Sequence, residues 1–376
     1  MGENMKNIAV IFGGKSVEHD ISIITGLGVV KNLGEAYNVL PIYISKKGTW
    51  TFGKELNNVD YFNKENKKQL KKCFFKPNDN HLYIEGFGKK KYEIDVAVNC
   101  LHGLNGEDGT VSGILQISNI PETSSGVCGN AICMDKVLSK LIMKASDIPV
   151  AKFEFFDILE FTKSKDNIIK KIKDSFGFPF IIKPARGGSS IGISVAKDEK
   201  EFSKMVNKVS KFDNKILVEE YFDNFREINL SVFGFKNEIL LSSLEEVVGS
   251  SGIFDFDNKY KKKANIKRIC PAELPKKIQQ QILQLGEKVF KLCECKGLVR
   301  IDFFIVGDSV VLNEINTIPG SFAFYLWKNA GLTFGRLLTK LIEDSIERNN
   351  TQQNLNFEYT SNVLDGITNK DFNVNK

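Results

Sequence analysis

No stretch of this 376-residue chain comes near the roughly 18 consecutive apolar residues that a membrane-spanning helix needs. The first residues show no secretory signal pattern, and Lys6 stands where an N-myristoylation motif has Ser or Thr. These absences count against membrane and secreted proteins. We therefore expect a soluble, cytoplasmic protein that does not bind membranes.

Zinc-site and disulfide patterns are missing as well. The seven cysteines form no Cys-x-x-Cys pair and no Cys/His cluster with zinc spacing. In a cytoplasmic protein such cysteines are expected to be reduced thiols.

Charge gives no sign of a nucleic-acid partner, although the formal net charge is +6. The lysines are scattered among Asn and Ile instead of clustering with aromatic residues. The densest basic run, at 260–263, is interpreted as a solvated loop, with contact to a ligand phosphate as the alternative. We expect no nucleic-acid binding.

The length and a hydrophobic content of 42% allow two or three domains. In the first segment, buried strands are predicted at 7–12, 39–44 and 95–100. A helix is predicted at 17–33 with Ser16 as its N-cap, whereas 57–80 is polar and Lys-rich and predicts an irregular insertion or an exposed hairpin. This order of elements predicts an α/β domain that ends near Pro121.

Later segments have a different pattern. A helical run at 134–146 is followed by predicted strands at 178–183, 194–196 and 215–221. Further strands are predicted at 227–235, 238–244, 298–305 and 310–314, with helices at 275–295 and after Leu332. The Asn-rich tail from Asn349 is expected to be poorly ordered.

A Gly-rich stretch runs from Lys183 to Gly192 and contains Ser189 and Ser190. Glycines let backbone N–H groups approach anionic oxygens closely, and a lysine at the end of a strand adds a point charge. The stretch is neither a Walker loop nor a Rossmann fingerprint. It predicts an anion-binding loop, with a plain glycine-rich hairpin as the alternative.

Two predicted strands carry polar pairs, Arg300 with Asp302 and Glu314 with Asn316. Because side chains alternate along a strand, the members of each pair share a face. If the two strands pair, two carboxylates and an amide oxygen converge, which is a ligand set suited to Mg²⁺. Arg300 beside them can stabilise negative charge in a reaction. The alternative is a solvent-facing strand pair with a salt bridge.

Acidic residues and one histidine complete the candidates. Glu220 and Glu227 flank the end of a predicted strand and can bind an adenine edge or ribose hydroxyls, or can be surface charge. Glu18 and His102 each follow the carboxyl end of a predicted parallel strand, where open α/β sheets bind ligands. Glu18 can bind an ammonium group, and His102 can equally be a capping or core histidine.

Together these blocks resemble the D-alanine–D-alanine ligase family of the ATP-grasp superfamily. The matching blocks are Gly13-Gly14 with Glu18 and Ser22, 102–109, 134–136, 183–192, Arg300 with Asp302, and 313–320. The resemblance implies an α/β (α+β) ATP-grasp fold with an N-terminal parallel-sheet domain. The implied divisions are a substrate-binding domain (1–122), a central ATP-grasp subdomain (123–225), a C-terminal ATP-grasp subdomain with the metal site (226–348) and a tail (349–376).

The resemblance also implies a role for each matching residue. ATP would be bound by Lys136, Lys183, Ser189, Ser190, Glu220, Glu227, Lys259 and Asn313. Two Mg²⁺ or Mn²⁺ ions would be bound by Asp302, Glu314 and Asn316. The amino-acid substrates would contact Glu18, His102, Arg300, Gly320, Tyr325 and Leu326. The implied catalytic residues are Glu18, Ser189, Arg300, His102 and Tyr260, the last in a mobile lid at 254–260. The implied reaction is the ATP-dependent joining of two D-alanines through an acyl phosphate for peptidoglycan synthesis, by a homodimer.

The second substrate is left open by departures from the family pattern. Tyr325 stands where the pattern has a small hydroxylated residue beside the carboxylate of the second substrate. Residues 18–20 resemble vancomycin-resistance-type ligases, some of which use D-serine or D-lactate, whereas Lys259 and Tyr260 resemble dipeptide-forming members. The alternatives are therefore a related ligase with another acceptor, or a nucleotide-binding relative without turnover.

Overall fold

Three β-sheets form the framework of the protein in a computed structural model, which describes residues 5–371 except 35, 64–69, 87–89, 237, 250–266, 357 and 369–370. A seven-stranded sheet comes first in the chain, a four-stranded sheet follows, and a six-stranded sheet is last. None of the described helices is long and apolar enough to cross a membrane.

The first sheet has the strand order β6-β5-β4-β3-β2-β1-β7. Its strands are β1 (Asn7–Gly13), β2 (Asn38–Ile44), β3 (Trp50–Phe52), β4 (Lys71–Lys76), β5 (Asp79–Ile84), β6 (Lys91–Glu93) and β7 (Val96–Asn99). β1 is parallel to β2 and β7, whereas β2 to β6 are joined by antiparallel pairs. For 57–80 the predicted hairpin is confirmed from Lys71 onward, because β4 and β5 pair and extend this sheet. Asp60–Asn63 is a short helix instead, and 64–69 lie outside the described residues.

Helices α1 (His19–Leu33), α2 (Asp60–Asn63) and α3 (Thr110–Ile117) and a 3-10 turn at Lys54–Asn57 belong to this region. β1 is buried on both faces, since Phe12 and Ile11 lie in different hydrophobic clusters. The predicted N-cap is wrong: Glu18 precedes the first residue of α1. Ser16 Oγ instead accepts a hydrogen bond from the Glu18 N–H at 3.1 Å, which forms a turn ahead of the helix.

The second sheet has the order β10-β9-β11-β8. It consists of β8 (Phe153–Asp157), β9 (Phe180–Pro184), β10 (Ser194–Ala196) and β11 (Lys215–Glu220), preceded by α4 (Gly126–Met134) and α5 (Lys136–Ala145). The strands predicted at 178–183 and 194–196 on either side of the Gly-rich stretch are confirmed, and β9 and β10 pair antiparallel as a hairpin. Helices α6 (Ile158–Phe176) and α7 (Glu199–Val209), absent from the sequence-based prediction, pack on this sheet around Phe156, Phe180 and Phe202.

The third sheet has the order β15-β14-β12-β16-β17, with β13 paired to β12. The strands are β12 (Arg226–Phe235), β13 (Glu238–Leu241), β14 (Glu245–Val248), β15 (Lys267–Ile269), β16 (Leu298–Val306) and β17 (Ser309–Asn316). Helix α8 (Lys276–Leu292) covers one face through Ile282, Val289 and Phe290.

After β17 the chain forms a 3-10 segment (Gly320–Ala330) and a long helix, α9 (Phe334–Gln353). The helix continues past Asn349, where the sequence predicts that order ends. Leu326 and Leu337 are buried in the same hydrophobic cluster as Phe12 of β1. This packing holds the chain that follows β17 against the first sheet.

A close contact between α1 and β1 can be tested with two glycines on the same helix. At Gly26 an added Cβ would come within 2.4 Å of the Phe12 ring, whereas at Gly28 it would meet Phe334 at 3.6 Å, an ordinary contact. We expect Gly26→Ala to lower the free energy of unfolding by about 1–3 kcal/mol through overpacking. Gly28→Ala should leave it unchanged or raise it by up to about 1 kcal/mol, because alanine favours the helix. Urea unfolding measures both; equal effects would contradict this packing.

Candidate active site

One row of polar side chains crosses the third sheet. Glu245 of β14 pairs with Asn229 of β12. Asn229 pairs in turn with Asp302 of β16, and Asp302 pairs with Glu314 of β17. Directly paired residues in antiparallel strands point to the same face of a sheet. The predicted pairing that brings Asp302 and Glu314 together is therefore confirmed.

Asp302 is held from two sides. Arg300 donates from Nε to Oδ1 at 2.6 Å and from Nη2 to Oδ2 at 2.7 Å. Asn316, which pairs with Arg300 across the two strands, donates from Nδ2 to Oδ2 at 3.1 Å. Asp302 is only 2% exposed, so the alternative of a solvent-facing salt bridge is wrong.

A second charged cluster lies in the four-stranded sheet. The carboxylate of Glu219 in β11 forms ion pairs with Lys183 of β9 and, at 2.7 Å, with Lys140 of α5. Burial alone would raise the pKa of Glu219, but the two ammonium groups hold that pKa below its usual range. Lys140 Nζ also donates to the backbone carbonyl of Asn313 in β17 at 3.2 Å. Lys140 thereby ties the second sheet to the third.

A cleft lies between these two clusters. Lys136 Nζ donates to the Gly187 carbonyl at 2.5 Å and lies 3.7 Å from the carboxylate of Glu314. Glu220 accepts a hydrogen bond from the Lys152 N–H at 2.7 Å. The predicted ATP-binding residues that line the cleft are Lys136, Lys183, Ser190, Glu220, Glu227 and Asn313, with Glu314 of the predicted metal set beside them. Phosphate-binding and metal-binding types of side chain therefore open into one space.

The Gly-rich loop between β9 and β10 reaches the first sheet. Ser189 Oγ donates a hydrogen bond to the carboxylate of Glu18. Gly188 lies against the same carboxylate, where an added Cβ would come within 2.1 Å of Oε2. Ser189 and Ser190 have φ values of 50° and 57°, a left-handed conformation that is costly outside glycine. The loop thus brings two of the predicted catalytic residues, Glu18 and Ser189, into contact.

His102 connects the loop after β7 with the segment that follows β17. Its Nε2 lies 2.9 Å from Thr25 Oγ1, which accepts a hydrogen bond from the Ser321 N–H at 3.2 Å. Burial lowers the pKa of His102 to about 4. The imidazole is therefore neutral near pH 7.

The predicted acceptor residues lie in the 3-10 segment. Residues 321–323 all have φ values between 46° and 52°, a strained left-handed turn directly after Gly320. The Leu326 side chain is fully buried in the core, so only its backbone can meet a substrate. Burial raises the pKa of Tyr325, which keeps its hydroxyl protonated, and Arg268 Nη1 of β15 donates to that hydroxyl at 3.4 Å.

Lys259 and Tyr260 lie outside the described residues, as does the rest of the predicted lid at 254–260. The roles predicted for these two side chains stay predictions.

Four further residues of the site have no role that the sequence predicts: Lys140, Glu219, Glu107 and Arg268. Glu107 accepts hydrogen bonds from the N–H groups of Gly103 at 2.8 Å and Ile318 at 3.1 Å, and burial raises its pKa to about 8. One signal was available: Lys140 follows Lys136 by four residues in a predicted helix, and positions at this spacing share a face. No sequence signal of this kind marks Glu219, Glu107 or Arg268, because their partners are distant in the chain.

Two protein-family models match this chain and together cover most of it. Residues 7–125 match the family model of the D-ala D-ala ligase N-terminus, and residues 142–343 match that of the D-ala D-ala ligase C-terminus. The chain belongs to the D-alanine–D-alanine ligase family. A D-alanine–D-alanine ligase from Thermosipho melanesiensis is 42% identical over 350 residues, which are 92% of this chain and 94% of that protein. One from Caldicellulosiruptor bescii is 36% identical over 365 residues, or 93% and 98% of the two chains.

Solved structures of this family are similar throughout. The D-alanine-D-alanine ligase from Coxiella burnetii is 28% identical, with a TM-score of 0.79 over 93% of this chain and 96% of that one. The VanG D-Ala:D-Ser ligase from Enterococcus faecalis is also 28% identical, with a TM-score of 0.78 over 91% and 100%. The predicted family, the ATP-grasp fold and the assignment as a ligase are confirmed.

The link that Lys140 makes between two sheets can be tested by Lys140→Met. The change leaves the buried Glu219 carboxylate with one ammonium partner instead of two. We expect the free energy of unfolding to fall by about 3 kcal/mol, the lower end of the range for breaking a buried ion pair. Lys144→Met on the exposed side of the same helix is the control and should change it by less than about 0.5 kcal/mol. Similar values for both variants in urea unfolding would show that the buried pair contributes nothing.

The neutrality of His102 has a measurable consequence. Its pKa in the folded protein, about 4, lies below the ordinary value of 6.5. The stability it contributes is therefore fully present above pH 6.5 and is lost as the pH falls from 6.5 through 4. The chain has three histidines, so NMR can follow each imidazole, with His102→Gln assigning the signal. A midpoint near 6.5 for the folded protein would refute the burial argument.

Proposed function

We propose that this chain joins two D-alanine molecules into D-alanyl-D-alanine as a step of peptidoglycan synthesis, with conversion of ATP to ADP and phosphate. The observation that carries the proposal is the shared cleft, in which Lys136 lies 3.7 Å from the carboxylate of Glu314 and Lys183 lines the same space. A cleft with both cationic and anionic walls suits phosphates that are bound together with metal ions.

The nucleotide would lie in this cleft. Lys136 and Lys183 would contact its phosphates, and the Ser189–Ser190 loop and Lys259 would close over them. Glu220 and Glu227, which line the same cleft, would hold the adenine and ribose. Lys140 would keep Glu219 charged and in place beside Lys183.

The donor set at β16 and β17 fits Mg²⁺ or Mn²⁺. Asp302, Glu314 and Asn316 offer hard oxygen atoms from neighbouring positions, and Asp302 is already oriented by Arg300. Within the described residues no group of three His, Cys, Asp or Glu side chains can hold a metal by itself. Magnesium suits such a partial site, because it keeps waters and substrate phosphates among its ligands. Two ions held there would neutralise charge on the phosphates.

The first D-alanine would bind at the junction with the first sheet. Glu18 would hold its ammonium group, and neutral His102 would lie beside its carboxylate. A carboxylate oxygen then attacks the γ-phosphorus, the bond from phosphorus to the β,γ-bridging oxygen breaks, and ADP leaves. Lysines and positioning contribute most of the catalysis in such a transfer.

The second D-alanine completes the reaction. Its amino group attacks the acyl carbon, the bond from that carbon to the phosphate oxygen breaks, and the nitrogen loses a proton. Arg300 would stabilise the negative charge of the tetrahedral intermediate. Gly320, Tyr325 and the backbone of Leu326 would border this substrate, and a lid containing Tyr260 would exclude water from the acyl phosphate.

Tyr325 favours a second candidate, a ligase of the same family with another acceptor such as D-serine or D-lactate. A phenol in place of a small hydroxylated residue changes the shape of the acceptor pocket. The division at 122, 225 and 348, a homodimer and a cytoplasmic location are also proposed. The homodimer rests on the family resemblance alone, whereas sequence patterns also support the other two.

The proposal predicts dipeptide formation from ATP, Mg²⁺ and D-alanine, measured as D-alanyl-D-alanine by mass spectrometry together with phosphate release. Glu314→Gln removes a metal-binding charge and should lower kcat by about 10²- to 10³-fold, the scale of losing one charge stabiliser. Asp308→Asn, at an exposed position of the same β16–β17 hairpin, is the control and should keep full activity.

A competition experiment identifies the acceptor that the enzyme prefers. D-alanine, D-serine and D-lactate are mixed in one reaction, and the products are separated by mass. Preferential capture of D-serine or D-lactate would replace the first candidate by the second. Absence of phosphate release with every acceptor would refute both.

A further inference from the structure

The polar row of the third sheet extends beyond Glu245. In β15, Arg268 pairs with Val247 of β14, which lies two residues after Glu245 and therefore on the same face. The row thus runs from Glu314 through Asp302, Asn229 and Glu245 to a guanidinium at the β15 edge. The metal-type end of the row has a role in the proposed function, and the Arg268 end does not.

Arg268 is fixed on one side and open on the other. Its Nη1 donates to the carboxylate of Glu245 at 2.8 Å and to the hydroxyl of Tyr325 at 3.4 Å. Its guanidinium carbon also lies 5.6 Å from the centre of the Tyr325 ring. The Glu245 side chain is 2% exposed, whereas that of Arg268 is 51% exposed. Within the described part of the chain, Nε and Nη2 of Arg268 make no hydrogen bond.

Such a group is suited to an anionic ligand. A guanidinium that a buried carboxylate holds in place loses little freedom on binding, and its free N–H edge matches a carboxylate in two-point geometry. Arg268 contacts Tyr325, which borders the second substrate in the proposed function, so its guanidinium lies at that end of the site. Burial raises the pKa of the Tyr325 hydroxyl, and the positive charges of Arg300 and Arg268 both oppose that rise.

We propose that Arg268 binds the carboxylate of the acceptor amino acid and, with Tyr325, determines which acceptors the enzyme takes. This inference rests on the proposed ligase function and adds a residue to it. A phenol at 325 leaves less room for the substrate than a small hydroxylated residue. Arg268, on the edge strand β15, would bind the carboxylate of the acceptor. An acceptor without a carboxylate should therefore react poorly.

D-Alaninamide is the probe, since it keeps the amine and the methyl group of D-alanine and lacks only the carboxylate charge. With D-alanine as donor, the dipeptide and the dipeptide amide are separated by mass. We expect the wild-type enzyme to prefer D-alanine over the amide by about 10- to 100-fold, the scale of a hydrogen bond to a charged group. In Arg268→Met the acceptor KM for D-alanine should rise by a similar factor, and the preference over the amide should disappear. The KM values for ATP and for the donor D-alanine should not change.

If Arg268 had a purely structural role, it would only neutralise the buried carboxylate of Glu245. The double variant Arg268→Met/Glu245→Gln separates the two, since it removes the buried charge together with its partner. On our proposal the acceptor KM stays raised in the double variant, whereas a structural role predicts that it returns to the wild-type value. Arg268→Lys keeps the positive charge but loses the two-point geometry of the guanidinium, and it should recover part of the preference for D-alanine over the amide.

The outcomes are distinguishable from failure of the proposed function. If the wild-type enzyme forms no dipeptide with any acceptor, the ligase proposal itself fails. If it forms dipeptide but Arg268→Met keeps the wild-type acceptor KM and the preference over the amide, only the role of Arg268 is refuted.

Discussion

The register of β12, β16 and β17 around Asp302 is the constraint on which the site depends. It places Asp302 opposite both Asn229 and Glu314, and it places Arg300 opposite Asn316. A shift by one residue would turn every one of these side chains to the other face of the sheet. Hydrophobic residues that alternate with them, such as Ile301 and Phe303, are fully buried beneath α8 and oppose such a shift.

Buried polar contacts then join the sheets into one site. Lys140 connects the second sheet to Asn313 of the third, and Glu107 connects the loop after β7 to Ile318. Ser189 of the Gly-rich loop reaches Glu18. Each contact would leave a costly unpaired group if the sheets moved apart, so the arrangement of the cleft is coupled to stability. The strained residues 321–323 lie where the third sheet meets the first, as strain at functional sites commonly does.

In the proposed function, the two ends of the polar row serve different parts of the reaction, phosphoryl transfer at one end and acceptor binding at the other. At Glu314 and Asp302 the residue types match the family pattern, and in the proposed function they would hold metal ions for phosphoryl transfer, whose demands are the same for every acceptor. At Tyr325 and Arg268 the chain departs from the family pattern or carries a group that the pattern does not mention. Acceptor choice is a difference in affinity between similar small molecules, so a single guanidinium and a phenol are enough to change it.

The sequence by itself determined the family, the fold class, the β9–β10 hairpin and the face shared by Arg300 and Asp302. These follow from local spacing and strand alternation, which a linear pattern contains. Tertiary structure alone decided that Lys140 pairs with Glu219, that Glu107 joins two regions and that Arg268 lies beside Tyr325. Those contacts link residues that are 57 or more positions apart. Their partners are chosen by sheet order and register, and no local pattern encodes either. The N-cap of α1 failed for a related reason: Ser16 is a preferred cap residue in sequence, but the turn after β1 uses its hydroxyl ahead of the helix, and Glu18 precedes the first helical residue.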